Sequence, residues 1–160
     1  MTDQAKELSE IARRVTIYLV AVLLASFVLG YVLLVVVGTT SPIRKFFIES
    51  IIGFSGSAVA ALTSCIDRYA RGFELDDGSK EPEGVKGETF NRRMARAFYV
   101  RPFLGFVAAP VLIWGLAFFT KKLDDMDSPE HLAFMAFLGG LLAKSVFELV
   151  KGLFKNIFKS

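Results

Sequence analysis

Charged residues gather in a few places along this chain, and the stretches between them are almost wholly apolar. Residues 3–14 (DQAKELSEIARR) mix acids and bases with scattered apolar positions and read as an amphipathic helical lead-in, continuous with the apolar run after it. From Val15 to Val37 there is no charged side chain, only Val, Leu, Ile, Ala, Tyr and Phe interrupted by Thr16, Ser26 and Gly30. At about 1.5 Å per residue such a run crosses roughly 30 Å of hydrocarbon, so 15–37 is expected to be a transmembrane helix. Gly38-Thr39-Thr40-Ser41-Pro42 then stops the helix and turns the chain.

A second span is expected over 43–66, opening with Arg44 and Lys45, carrying Glu49 in its first turns and closing at Asp67-Arg68. A third is expected over 102–119, with Pro102 at the helix start, where its missing N–H costs nothing, and Pro110 kinking it midway. The fourth, 131–150, follows Ser128-Pro129-Glu130, an N-cap with proline and an acid in the first turn. The fold class is therefore all-α: a polytopic membrane protein with four transmembrane helices plus short amphipathic cytoplasmic helices. The chain forms one transmembrane domain over 1–160.

The connection 67–101 divides in two. Asp76 to Glu88 is rich in Gly, Pro and charge, cannot bury a core, and is expected to be flexible. In 89–100, Phe90, Met94, Ala97 and Phe98 recur at helical spacing opposite Arg92, Arg93 and Arg96, as in a short helix lying on the inner leaflet. The tail 151–160 continues as a basic amphipathic helix, with Lys151, Lys155 and Lys159 along one face and Phe154 and Phe158 on another. Binding to an anionic inner leaflet is the first expectation for it, and docking on a partner the second.

Charge distribution sets the orientation. The N-terminal segment, the long connection and the tail hold 14 Lys and Arg, against 4 in the two short connections. Basic segments stay in the cytoplasm, so both termini and the long connection are expected there. The lack of an Asn-x-Ser/Thr sequon is compatible with a bacterial inner membrane, and the acids at Asp3, Glu7 and Glu10 with an uncleaved N-terminus.

Composition changes this picture little. The chain has 160 residues, 53% hydrophobic, with mean hydropathy +0.48. The net charge of +3 reflects the loop bias, and no aromatic-basic platform suggests nucleic acid. Cys65 is the only cysteine, which excludes an intramolecular disulfide and reads as a small buried hydrophobe. A single histidine, His131, leaves no multi-histidine zinc site and reads as a helix-end polar residue. No P-loop pattern is present, no nucleophile is paired with histidine by signature, and neither enzymatic activity nor a cofactor or metal is expected. Asp124, Asp125, Asp127 and Glu130 form an acidic cluster that reads as a solvated loop before a helix rather than a metal site.

The polar and small residues inside the spans carry the functional question. Helices in lipid associate through small residues that let backbones approach. Glu49, Gly53, Gly56, Ser57, Ala60, Ala61 and Ser64 recur at three- and four-residue steps, as do Ala133, Ala136, Gly140 and Ala143, while the third span adds Gly105, Ala109 and Gly115. Such a stripe either packs one bundle or lines a pore. Lys144 and Glu148 continue the fourth span's stripe as an intramembrane charge pair that snorkels to the inner surface or faces a polar interior. Glu49, with Lys45 one turn earlier, pairs with it or favours cations in a lumen.

The leading functional expectation is a self-assembling, homo-oligomeric ion- or solute-conducting pore lined by Glu49, Gly53, Ser57, Ala60 and Ser64. The alternative is a non-conducting membrane anchor or accessory subunit that recruits a cytoplasmic partner through 67–101 and the tail. A proton-coupled transporter, resting on Glu49 alone, is third.

Overall fold

The computed structural model describes residues 2–37, 41–84, 86–120, 128–145 and 147–148. It is mostly helical (82%), which establishes the all-α class. Helix α1 (Asp3–Val32) runs into a π-helical stretch, Leu33–Val37; α2 is Pro42–Arg71, α3 is Arg92–Thr120 and α4 is Pro129–Leu141. Between α2 and α3 a two-stranded antiparallel hairpin pairs β1 (Phe73–Glu74) with β2 (Lys80–Glu81).

Among the described residues three helices are long and apolar enough to cross a membrane: Asp3–Val36, Pro42–Arg71 and Arg92–Leu116. The expected fourth span is represented by α4, whose 13 residues cover roughly 20 Å, short of a crossing. Helical residues resume at 143–145 and 147–148, past the break at Leu142 (φ −89°, ψ 6°). The start of α4 follows its expected signal, since Ser128 Oγ accepts from the His131 backbone N–H at 3.3 Å.

Helix α1 begins at Asp3 because Thr2 caps it, its Oγ1 accepting from the Ala5 N–H at 3.3 Å. The polar lead-in is continuous with the span, as expected. Ala5, Leu8, Ala12, Val15 and Leu19, at steps of three and four, form its buried stripe. Leu24, Phe27 and Val28 turn outward, each more than 60% exposed, as suits a lipid face. Helix α2 is central and touches α1, α3 and α4. Half of its apolar window is buried, against 17% for α1.

One expectation about the long connection is corrected. The segment read as a short surface helix over 89–100 belongs to α3, which runs unbroken from Arg92 with Pro102 and Pro110 inside it. Pro102 is thus an interior residue, buried in the bundle. Asn91 caps the helix instead, its Oδ1 accepting from the Met94 N–H at 2.8 Å.

The segment 76–88 has no buried residue among those described, in keeping with its composition, although its first part pairs in the hairpin. Gly72 ends α2 with φ +113°, where a side chain would strike the Glu81 carbonyl. The hairpin then closes through Leu75 N–H to the Ser79 carbonyl at 2.8 Å, with Asp77 Oδ1 accepting from the Ser79 N–H and hydroxyl at 2.9 and 2.6 Å. Those two bonds, the hydroxyl's first, hold the Asp77 carboxyl below its ordinary value. Phe90 bonds back to Gly72 and Glu74, and its ring is wholly buried beside Phe73 and Phe98. These residues share one core with the α1 stripe, Ala61 and Cys65. Full burial of a ring such as Phe90's stabilises by roughly 1.5–3 kcal/mol.

Candidate functional site

The small residues meet in one three-helix seam. A Cβ on Gly53 would collide with Ala109 Cβ and come within 2.5 Å of the Gly105 carbonyl on α3. On the other side, a Cβ on Gly140 of α4 would overlap the Gly53 carbonyl, and one on Gly56 would overlap that of Phe137. A Cβ on Gly139 would stand 2.9 Å from Ala109 Cα. Backbones approach this closely only where side chains are absent, and in lipid such contact is what holds helices together.

The stripe's hydroxyls are spent on the same seam. Ser57 Oγ donates to the Arg101 carbonyl on α3 at 2.7 Å. Ser64 donates to the Ala60 carbonyl at 2.8 Å and accepts from Arg101 Nη1 at 3.0 Å. Across the α1–α2 contact, Ser55 donates to Ser26 Oγ at 2.9 Å. Of the expected lining residues, Glu49, Gly53 and Ser57 are buried and Ala60 and Ser64 partly so. The structure uses Gly53, Ser57 and Ser64 in the contacts of α2 with its neighbours, Gly53 against α3 and α4 and the two serines against α3.

Glu49 lies further toward the start of α2 and is 2% exposed. The Trp114 side chain of α3 hydrogen-bonds its carboxylate, and the Lys45 charge acts on it from one turn earlier. Its Oε2 is buried with no hydrogen-bond partner among the described residues, and so is the neighbouring Ser50 Oγ. Trp114 was invisible as a partner because nothing in the linear spacing relates it to Glu49.

The expected charge pair lies on the outside of the helix packing of this chain. Lys144 Nζ and Glu148 Oε1 are 3.8 Å apart, each side chain 68% exposed, while Gly140 and Ala143 are buried. The pair has turned off the face that packs on the rest of this chain. Of the three arginines expected at the membrane surface, Arg93 and Arg96 are exposed. Arg92 is exposed as well and bridges Glu7 of α1 at 2.6 Å and Asp76 of the hairpin at 3.7 Å. Lys151, Lys155 and Lys159, like Asp124, Asp125 and Asp127, lie outside the described residues.

Two clefts flank α1. One, of about 550 Å³, is lined by Ala25, Leu29, Phe54, Phe103 and Phe106 among others; the second, of about 370 Å³, by Phe27, Leu34, Ile52, Phe134 and Phe137. Both are apolar, and neither is lined by Glu49, Gly53 or Ser57. Among the described residues no group of three or more His, Cys, Asp or Glu is arranged to hold a metal ion. No known protein family, curated protein or solved structure matches the chain.

Proposed function

We propose that this chain is a non-conducting membrane anchor or accessory subunit that holds a cytoplasmic partner on the folded cap between α2 and α3. The observation that carries this reading is the contact of Gly53 with α3 and α4, which fills the space a lumen would need. The cap supports it from the other side. Its aromatic residues are packed into one core with α1 and α2, it is tied to α1 by Arg92 and by Glu81, and Glu83, Lys86, Arg93 and Arg96 are exposed on or beside it. A rigid, charged platform beside the membrane suits protein recruitment better than a loose linker would.

In this reading the excess of Lys and Arg orients the cap and both termini toward the cytoplasm, and the lack of an Asn-x-Ser/Thr sequon fits a bacterial inner membrane. Four crossings follow from that orientation, with α4 and its continuation as the last, and the basic tail against anionic lipid. Neither catalysis nor a cofactor forms part of this reading.

Glu49 favours a second reading, the oligomeric pore or proton-coupled carrier. A buried carboxyl with one oxygen unanswered, within a spanning helix, is expensive and is commonly kept for function. Flux into liposomes holding the purified chain separates the two. The anchor predicts no flux above empty vesicles, no effect of Glu49→Gln, and a co-purifying soluble protein that is lost with Lys86→Glu plus Arg93→Glu. Flux that Glu49→Gln alters would replace the anchor with the pore.

A further inference from the structure

Two guanidinium groups meet at the end of the α2–α3 seam nearest the cap. Arg101 reaches from α3 to α2, where Nη1 donates to Ser64 Oγ at 3.0 Å. Ser64 has given its own proton to the Ala60 carbonyl, so its oxygen serves Arg101 as an acceptor. Arg68 stands one turn beyond Ser64 on the same face, with 17% of its side chain exposed. Its Nη2 is paired with the Glu88 carboxylate, whereas Nη1 is buried with no hydrogen-bond partner among the described residues.

The charges do not balance. Arg68 and Arg101 are close enough to repel each other. Glu88, the carboxylate that pairs with Arg68, is 70% exposed, and the next arginine, Arg71, is paired with Asp67 at 2.8 Å. A buried cationic donor without an acceptor is destabilising, and a second cation beside it adds to that. A guanidinium is a planar fork that matches phosphate oxygens two at a time. The position suits such a ligand too. Directly after Arg101 the described part of α3, Pro102–Leu116, carries no charged residue, so the pair lies where hydrocarbon gives way to headgroups.

We propose that Arg68 and Arg101 form a phosphate-binding site, filled in the bilayer by the headgroup of an anionic phospholipid. With Glu88 displaced, the Arg68 guanidinium and the donors of Arg101 beyond Nη1 take the phosphate oxygens, so Glu88 competes with the ligand for Arg68.

The test is native mass spectrometry of the full chain released from vesicles of phosphatidylcholine mixed with phosphatidylglycerol. Wild type should retain phosphatidylglycerol preferentially, and R68Q/R101Q should lower the retained fraction by about ten-fold or more through loss of two charge-assisted contacts. The control R93Q/R96Q, on exposed arginines, should stay within about two-fold of wild type. Should R68Q/R101Q fail to fold, Glu88→Gln decides, since it alters an exposed side chain and should raise retention by freeing Arg68. In detergent, melting in inorganic phosphate is compared with chloride at equal ionic strength. A phosphate shift that R68Q/R101Q abolishes, without lipid preference, supports the site with free phosphate as its ligand; lipid preference without a phosphate shift supports the headgroup. Equal lipid retention by wild type and R68Q/R101Q with no phosphate shift, or no gain in E88Q, overturns the site.

Discussion

The backbone of Gly140 on α4 lies so close to the carbonyl oxygen of Gly53 on α2 that a methyl group on Gly140 would overlap it. The backbone there belongs to two helices at once, and neither can retreat without opening the contacts of Gly53 with Ala109 and of Gly139 with α3. Gly140→Ala should therefore destabilise the bundle by about 1–3 kcal/mol or more. Gly115→Ala makes the same chemical change where nothing among the described residues lies within 4 Å of the added carbon. It should be neutral, or stabilising by up to about 1 kcal/mol through helix propensity. Thermal melting in detergent compares them, and equal melting points would show that the seam is not this tight.

Phe90 is the keystone of the cap, wholly buried between Phe73 and Phe98. Phe90→Ala should cost roughly 3–5 kcal/mol locally. Amide exchange is the readout. The Glu74 N–H, which donates to the Phe90 carbonyl at 3.0 Å, and the Phe90 N–H, which donates to Gly72 at 2.9 Å, should lose protection. Amides around Gly53 should keep theirs, since Gly53 lies outside this core. Loss of protection in both places would mean that cap and bundle unfold as one.

The hairpin is tied to the start of α1 by Glu81, which accepts from the Thr2 hydroxyl at 2.6 Å and from its backbone N–H at 3.2 Å. These bonds, the hydroxyl's first, hold the Glu81 carboxyl below its ordinary value. A carboxyl lowered in the folded state contributes stability that is complete above its unfolded pKa and lost as pH falls through the folded one. The tie should thus survive acidification through the usual carboxylate range and fail below it. Amide exchange at Lys6, whose N–H donates to the Thr2 carbonyl at 3.1 Å, follows this during an acid titration. Thr2→Val should move the loss upward toward the ordinary carboxylate range, while Thr2→Ser should leave it in place; a wild-type loss already in that range would count against the tie.

The spans and the seam were legible because each rests on a periodic signal. Charge-free runs mark α1 to α3, and glycines at steps of three and four mark the faces that touch. The cap was not, because its strands are two residues long and carry no period, and Phe73, Phe90 and Phe98 meet only through the hairpin's turn. Pro102 misled for a related reason. A proline interrupts one hydrogen bond, which buried neighbours let α3 tolerate, so it does not have to begin a helix. Lys144 was placed on the seam by its step of four from Gly140. Four residues overshoot a turn by about 40°, and the helix departs from α geometry at Leu142, so counting across that point loses the face. Arg68 and Arg101 were readable in part: Arg68 lies one turn past Ser64, and Arg101 one turn before Gly105.

Closure of the α2 stripe is tested most directly by thiol labelling at Ser57, whose hydroxyl faces the Arg101 carbonyl across the seam. In a Cys65→Ala background, Ser57→Cys is reconstituted into liposomes and exposed from both sides to a membrane-impermeant thiol reagent, with Arg93→Cys as the exposed control. A closed seam predicts full labelling at position 93 and none at position 57 until the bundle is denatured. Labelling at position 57 in the folded protein would mean that water reaches the stripe, and that the chain encloses a lumen after all.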